Sequence, residues 1–194
     1  MKKISFSFKN HFIHRIYLYI IAVLAIPAIV TYGVILRTNP KAEEIFTVFV
    51  EANINDVDAF KTFIKEHTSS GNKEITIYSS LSSMSTYEIV YQTQGLESDL
   101  LILSDNAFKN DYSSSFVELN EGNEFYKDNN KMVEDKHFGV EIYNHGEGYL
   151  SNYIKYNNDT NYYIFINKGS VHTTHFSESG KTEQIFKLLE AIYG

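Results

Sequence analysis

The chain of 194 residues contains no cysteine. That excludes disulfide staples, whatever the redox state of the compartment. It excludes any surface transpeptidase that works through a cysteine nucleophile. It also excludes a lipoprotein-type anchor, which needs a cysteine. Acidic residues are missing from the first 38 positions, where Lys2, Lys3, Lys9, Arg15 and Arg37 stand. G-x-S-x-G and H-E-x-x-H do not occur, and no convincing pair of catalytic carboxylates stands out. A hydrolase is therefore disfavoured and the chain is not expected to be an enzyme.

What is present first is an uncharged apolar run, Ile16–Leu36, IYLYIIAVLAIPAIVTYGVIL. A membrane-spanning helix needs about 20 such residues. Pro27 is tolerated in a spanning helix, and Tyr17, Tyr19 and Tyr32 stand towards the two ends as interfacial aromatics do. A cleaved signal peptide has a shorter apolar region and a small-x-small site; Thr31-Tyr32-Gly33 supplies none. The basic, acid-free start is expected to stay in the cytoplasm. The reading is a cytoplasmic tail (1–15), a single-pass helix (16–36), a linker (37–44) and an extracellular domain (45–194) at the cell membrane.

The run 1–38 takes five of the 17 basic residues, leaving 12 against all 24 acids in the outer part, a net of about −12. Such a domain is not a nucleic-acid binder and does not seek anionic headgroups. Its length of about 155 residues is enough for a proper core.

Periodicity gives the fold. IFTVFV (45–50) is a continuous apolar run suited to a strand buried on both faces. Asn55 or Asp56 can cap a helix carrying Val57, Phe60, Phe63, Ile64 and His67 on one side. EITIYS (74–79) reads as a second strand. Met84, Tyr87, Val90 and Tyr91 share one helical face, with Ser85 and Glu88 as a capping box and Gly95 as the stop. DLLILS (99–104) is a third strand. Right-handed crossovers put the first strand between the other two, in parallel. Further on, SFVEL (115–119) reads as a short strand, 120–136 as a loop, 138–143 as a half-exposed strand and YYIFI (162–166) as a buried one. A last helix runs from about Lys181 to Tyr193 with Ile185, Leu188, Leu189 and Ile192 on one side. The fold class is α/β: a membrane helix, then one three-layer domain with a mostly parallel sheet.

These segments resemble the first lobe of the type 2 extracellular solute-binding proteins of ABC importers. The similarity rests on IFTVFVEAN followed by NDVDAF, on ITIYSS, on QGLESDLLILSDNAF, and on YYIFINKGSVHTTHFSESGKTEQIFKLLEAI. It covers most of residues 45–193. Family members have about twice this length, so only one lobe is represented. The resemblance implies a sugar or peptide ligand and ABC permease subunits as partners. A surface sensor or adhesion module on the same scaffold is the alternative.

Ligands of open α/β sheets bind beyond the carboxyl ends of the strands. That edge offers Glu51 and Asn53, then Ser79, Ser80 and Ser82, then Ser104, Asp105 and Asn106, a polar rim suited to sugar or peptide hydrogen bonds. Ser, Asn and Asp also gather there simply to cap helices and form turns. His172 and His175 form H-x-x-H without a third ligand, which reads as a surface pair rather than a metal site. ESGKT (178–182) lacks the upstream glycine of a phosphate loop, since His175 holds that position. No cofactor is expected. Tyrosines 143, 149, 153, 156, 162 and 163 read as core filling or partner contact before sugar stacking. Asn158-Asp159-Thr160 is a glycosylation sequon by pattern.

Overall fold

The computed structural model describes residues 2–68, 72–119, 130–170, 172 and 182–193. The chain falls into two compact units, Met1–Pro40 and Lys41–Gly194.

The first unit is one helix, α1 (Lys2–Thr38), with Pro27 inside it. Its stretch Arg15–Ile35 has a mean hydropathy of 2.4 and none of it is buried. That stretch is long and apolar enough to cross a membrane.

The second unit contains β1 (Ile45–Val50), β2 (Asn53–Ile54), α2 (Val57–His67), β3 (Glu74–Ser79), α3 (Tyr87–Val90), β4 (Leu100–Ser104), β5 (Lys131–Val133), β6 (Lys136–Asn144), β7 (Glu147–Gly148), β8 (Ile154–Lys155), β9 (Tyr162–Ile166) and α4 (Thr182–Tyr193). Part of the expected linker belongs to this unit. Ala42–Glu44 forms a 3-10 turn, in which the Lys41 backbone N–H donates to the Glu44 carboxylate. Lys73 pairs with the same carboxylate at 2.8 Å. Those two donors, Lys73 first, hold the Glu44 carboxyl below the usual range.

The main sheet runs β3-β1-β4-β9-β6-β5, with β7 beside β6. β1 does lie between β3 and β4 and is parallel to both. Beyond β4 the sheet turns antiparallel, through β9, β6 and β5. The sheet is therefore mixed: parallel over β3-β1-β4 and antiparallel beyond β4. β1, β3 and β4 are joined by helical crossovers, which bring the chain back in the same direction. Tight returns reverse it, as between β5 and β6, and reversed neighbours pair antiparallel.

Alternation along the strands feeds two cores. Phe46, Val48, Val50, Leu100, Ile102, Val140, Ile142, Ile164 and Ile166 face α2 and α4, which contribute Phe60, Ile64, Ile185, Leu188, Leu189 and Ile192. Phe49, Leu101, Leu103, Phe138, Tyr163 and Phe165 face the other way, onto Tyr87, Tyr91, Phe108 and Phe116. Helices on one face and a short helix with aromatic loops on the other give the three layers. Both faces being covered is why IFTVFV, LLILS and YYIFI are apolar without interruption. It also corrects the half-exposed reading of 138–143: Phe138, Val140, Ile142 and Tyr143 are all buried in β6.

Local signals are obeyed unevenly. Asp56 caps α2, accepting from the Ala59 N–H at 2.9 Å. The capping box of Ser85 and Glu88 does not form; Thr86 precedes α3 with no side-chain cap, and Glu88 is drawn to Lys109 and Gln92 instead. α3 is short and widens into a π turn over Tyr91–Gly95. A Cβ on Gly95 would stand 2.9 Å from Tyr91 Cδ2, so glycine lets the ring close on this turn. Met84 is exposed, off the apolar face. Residues 115–119 make only two isolated bridges, Phe116 to Asn167 and Leu119 to His137.

Candidate functional site

β1 sends its crossover through α2 on one face, and β3 sends its crossover through α3 on the other. The switch point therefore lies between β1 and β4, at their carboxyl ends. Glu51 stands there, only 3% exposed. Its backbone N–H continues the ladder to Ile102 O at 2.8 Å. Its carboxylate accepts from the Ser82 N–H at 2.9 Å and from the Ser104 N–H at 3.3 Å. One side chain thus ties together the ends of β1, β3 and β4.

The other rim residues are mostly turned to internal use. The Ser79 hydroxyl donates to Ala52 O at 2.7 Å. Ser80 is buried, with its N–H on Val50 O. The Ser104 hydroxyl accepts from the Ala107 N–H. Asp105 pairs with Lys131. Asn53 stands apart, in the two-stranded ladder of β2 with β8 opposite Lys155. Asn106 is exposed at the start of the turn.

Two phenols feel the Glu51 charge. Burial pushes the Tyr87 hydroxyl well above its ordinary value, and the Glu51 charge adds to the rise. Its oxygen is buried with no hydrogen-bond partner. Tyr162 is raised by burial against the bond it accepts from Asn157, with Glu51 again contributing.

The opposite, amino-terminal edge carries a network that sequence reasoning missed. Asp99 accepts from the Thr47 N–H at 2.6 Å, from the Thr47 hydroxyl at 2.9 Å and from the Ser170 hydroxyl. Asn167 donates to Leu96 O and Ser98 O and accepts from the Gly169 N–H. A cleft of about 410 Å³ lies against these groups, with Glu97 exposed at its mouth. The only sequence signal was polar residues flanking two buried runs.

His172 corrects the surface reading of the H-x-x-H pair. It is 1% exposed, tilted on Phe46, with Nε2 2.8 Å from Ile45 O. His175 and residues 178–181 of ESGKT lie outside the described residues. Among the described residues no group of three or more His, Asp or Glu side chains gathers as a metal set. The tyrosines mostly fill the core: Tyr143 stacks on Tyr156 at 4.3 Å, and Tyr153 packs on Phe60 and Phe63. Tyr149 is half exposed and meets Tyr193 edge-on beside a second cleft of about 160 Å³. Asn158 is exposed and accepts from the Tyr143 hydroxyl, while Thr160 of the sequon is buried.

No protein-family model, curated protein or solved structure matches this chain. Fold and site together define a mixed α/β domain carried behind an apolar helix.

Proposed function

We propose that this chain is a membrane-tethered extracytoplasmic module, an accessory or docking subunit of an ABC importer of the sugar or peptide class, built like a single lobe of a solute-binding protein. The observation that carries the reading is the pairing of Arg15–Ile35 with a separately folded α/β unit from Lys41 onward. The acid-free, basic start supports a cytoplasmic N-terminus and a domain on the far side of the membrane. The order β3-β1-β4 with parallel pairing supports the lobe-like design. A tether of a few residues raises the effective concentration of the domain at a membrane partner without any new contact.

Docking is favoured over solute capture by the rim itself. Its hydrogen-bonding groups are largely spent on neighbouring backbone, and a ligand needs groups left free. The same observation keeps a surface sensor or adhesion module as the second reading, since both roles use an outer surface rather than a solute crevice.

Affinity purification of the tagged full chain from detergent-solubilised native membranes tests this. Stoichiometric recovery of a permease and its ATPase is the expected result. Isolation as a lone monomer contradicts the transporter role. Thermal shifts with sugars and peptides separate the capture version, which requires stabilisation at millimolar ligand.

A further inference from the structure

Backbone N–H groups at the ends of parallel strands point into the crevice between diverging loops. Solute-free crevices leave such donors to water; ligand-filled ones give them to a ligand oxygen. Here the donors of Ser82 and Ser104 are already taken. The acceptor is Glu51, which directly follows a different strand, β1, and stands 31 and 53 residues away along the chain. Burying a carboxylate without compensation is costly. This one is compensated by charge-assisted bonds to two backbone N–H groups, the kind of bond an anionic ligand would make. The Tyr87 hydroxyl is buried without a partner, and the same charge adds to the rise that its burial causes.

We propose that Glu51 is a resident occupant of the crevice at the switch point, its carboxylate standing where the oxygen of a small carboxylate or hydroxyl ligand would bind. The crevice is closed to solutes in the natural chain. It becomes a carboxylate-binding site only when the side chain is removed. The inference shares with the docking reading the observation that the rim donors are taken, but it does not rest on the membrane placement or on a permease partner, so loss of either of those leaves it standing.

The test uses the full chain in detergent. Glu51→Ala lowers the melting temperature by about 5–10 °C, since one stability unit moves a domain of this size by a few degrees. Formate or acetate then restores several degrees to the variant, beyond the effect of sodium chloride at equal ionic strength, and leaves the natural chain unmoved. Equal responses of the two chains, or no carboxylate-specific response in a folded variant, overturn the proposal. Hydrogen exchange of the Ser82 and Ser104 amides gives a second readout that does not depend on Glu51→Ala folding. Both amides are protected in the natural chain, and Glu51→Gln lowers protection of at least one by about tenfold or more. Exchange at unprotected rates in the natural chain overturns the proposal.

Discussion

Asp56 shows how a single side chain sets a boundary. Its carboxylate takes the Ala59 N–H, one of the donors a helix start leaves open. Asp56→Ala is expected to lower unfolding free energy by about 1 kcal/mol in urea titration. Gly139 is constrained by space: a Cβ there would stand 2.7 Å from Phe165 Cε1 and 3.0 Å from Tyr163 Cβ. Gly139→Ala should cost about 1–3 kcal/mol by the same measurement. Asp99 holds three donors at once, and Asp99→Ala strands them in a buried place, with an expected loss of about 2–4 kcal/mol. The tyrosines give a pH prediction. Tyr87, Tyr91, Tyr156 and Tyr193 are raised above their ordinary value of 10.0, first by burial. The unfolded chain releases these protons more easily than the folded one. Their contribution is therefore whole below about pH 10 and is lost as pH climbs above it. Absorbance titration of the phenols should show a group that ionises only as the fold melts; ionisation of all tyrosines together near pH 10 in a folded domain would contradict this.

At the scale of elements, periodicity made most of the fold legible. Strands at 45–50, 100–104 and 162–166 were readable because burial on both faces leaves an uninterrupted apolar run. α2 and α4 were readable because one face alone is buried. The misreadings have physical causes too. Glu88 could have closed a capping box, but Lys109, 21 residues on, competes for its carboxylate. The alternation of Phe138, Val140 and Ile142 suggested one wet face; in the fold Val140, Ile142 and Tyr143 enter one core and Phe138 the other, with a register shift between Glu141 and Tyr143, and only the sheet order puts β6 between β9 and β5. The rim was legible as a place and not as a use, because Glu51 meets Ser82 and Ser104 only in the fold. The amino-edge network was not legible, since Thr47, Asp99, Ser170 and His172 are scattered between positions 47 and 172. For α1, a charge at the middle of a spanning helix costs about 2.5–3.5 kcal/mol on insertion scales. Leu24→Arg is therefore expected to shift a large fraction of the chain out of the membrane pellet on fractionation.

For the whole molecule, Arg15–Ile35 is long and apolar enough to cross a membrane, and the proposal is that it holds the acidic α/β domain on the outer side. The cysteine-free sequence makes this directly testable, because any introduced thiol is the only one. Lys155, exposed on β8, and Ser7, in the basic start of α1, are suitable sites for single Lys155→Cys and Ser7→Cys chains. The measurement is labelling of intact cells with a membrane-impermeant maleimide. Lys155→Cys is expected to be labelled at once and Ser7→Cys only after the membrane is opened, both in full-length, membrane-bound protein. Labelling in the reverse order, or Lys155→Cys recovered as a shortened soluble chain, would contradict it.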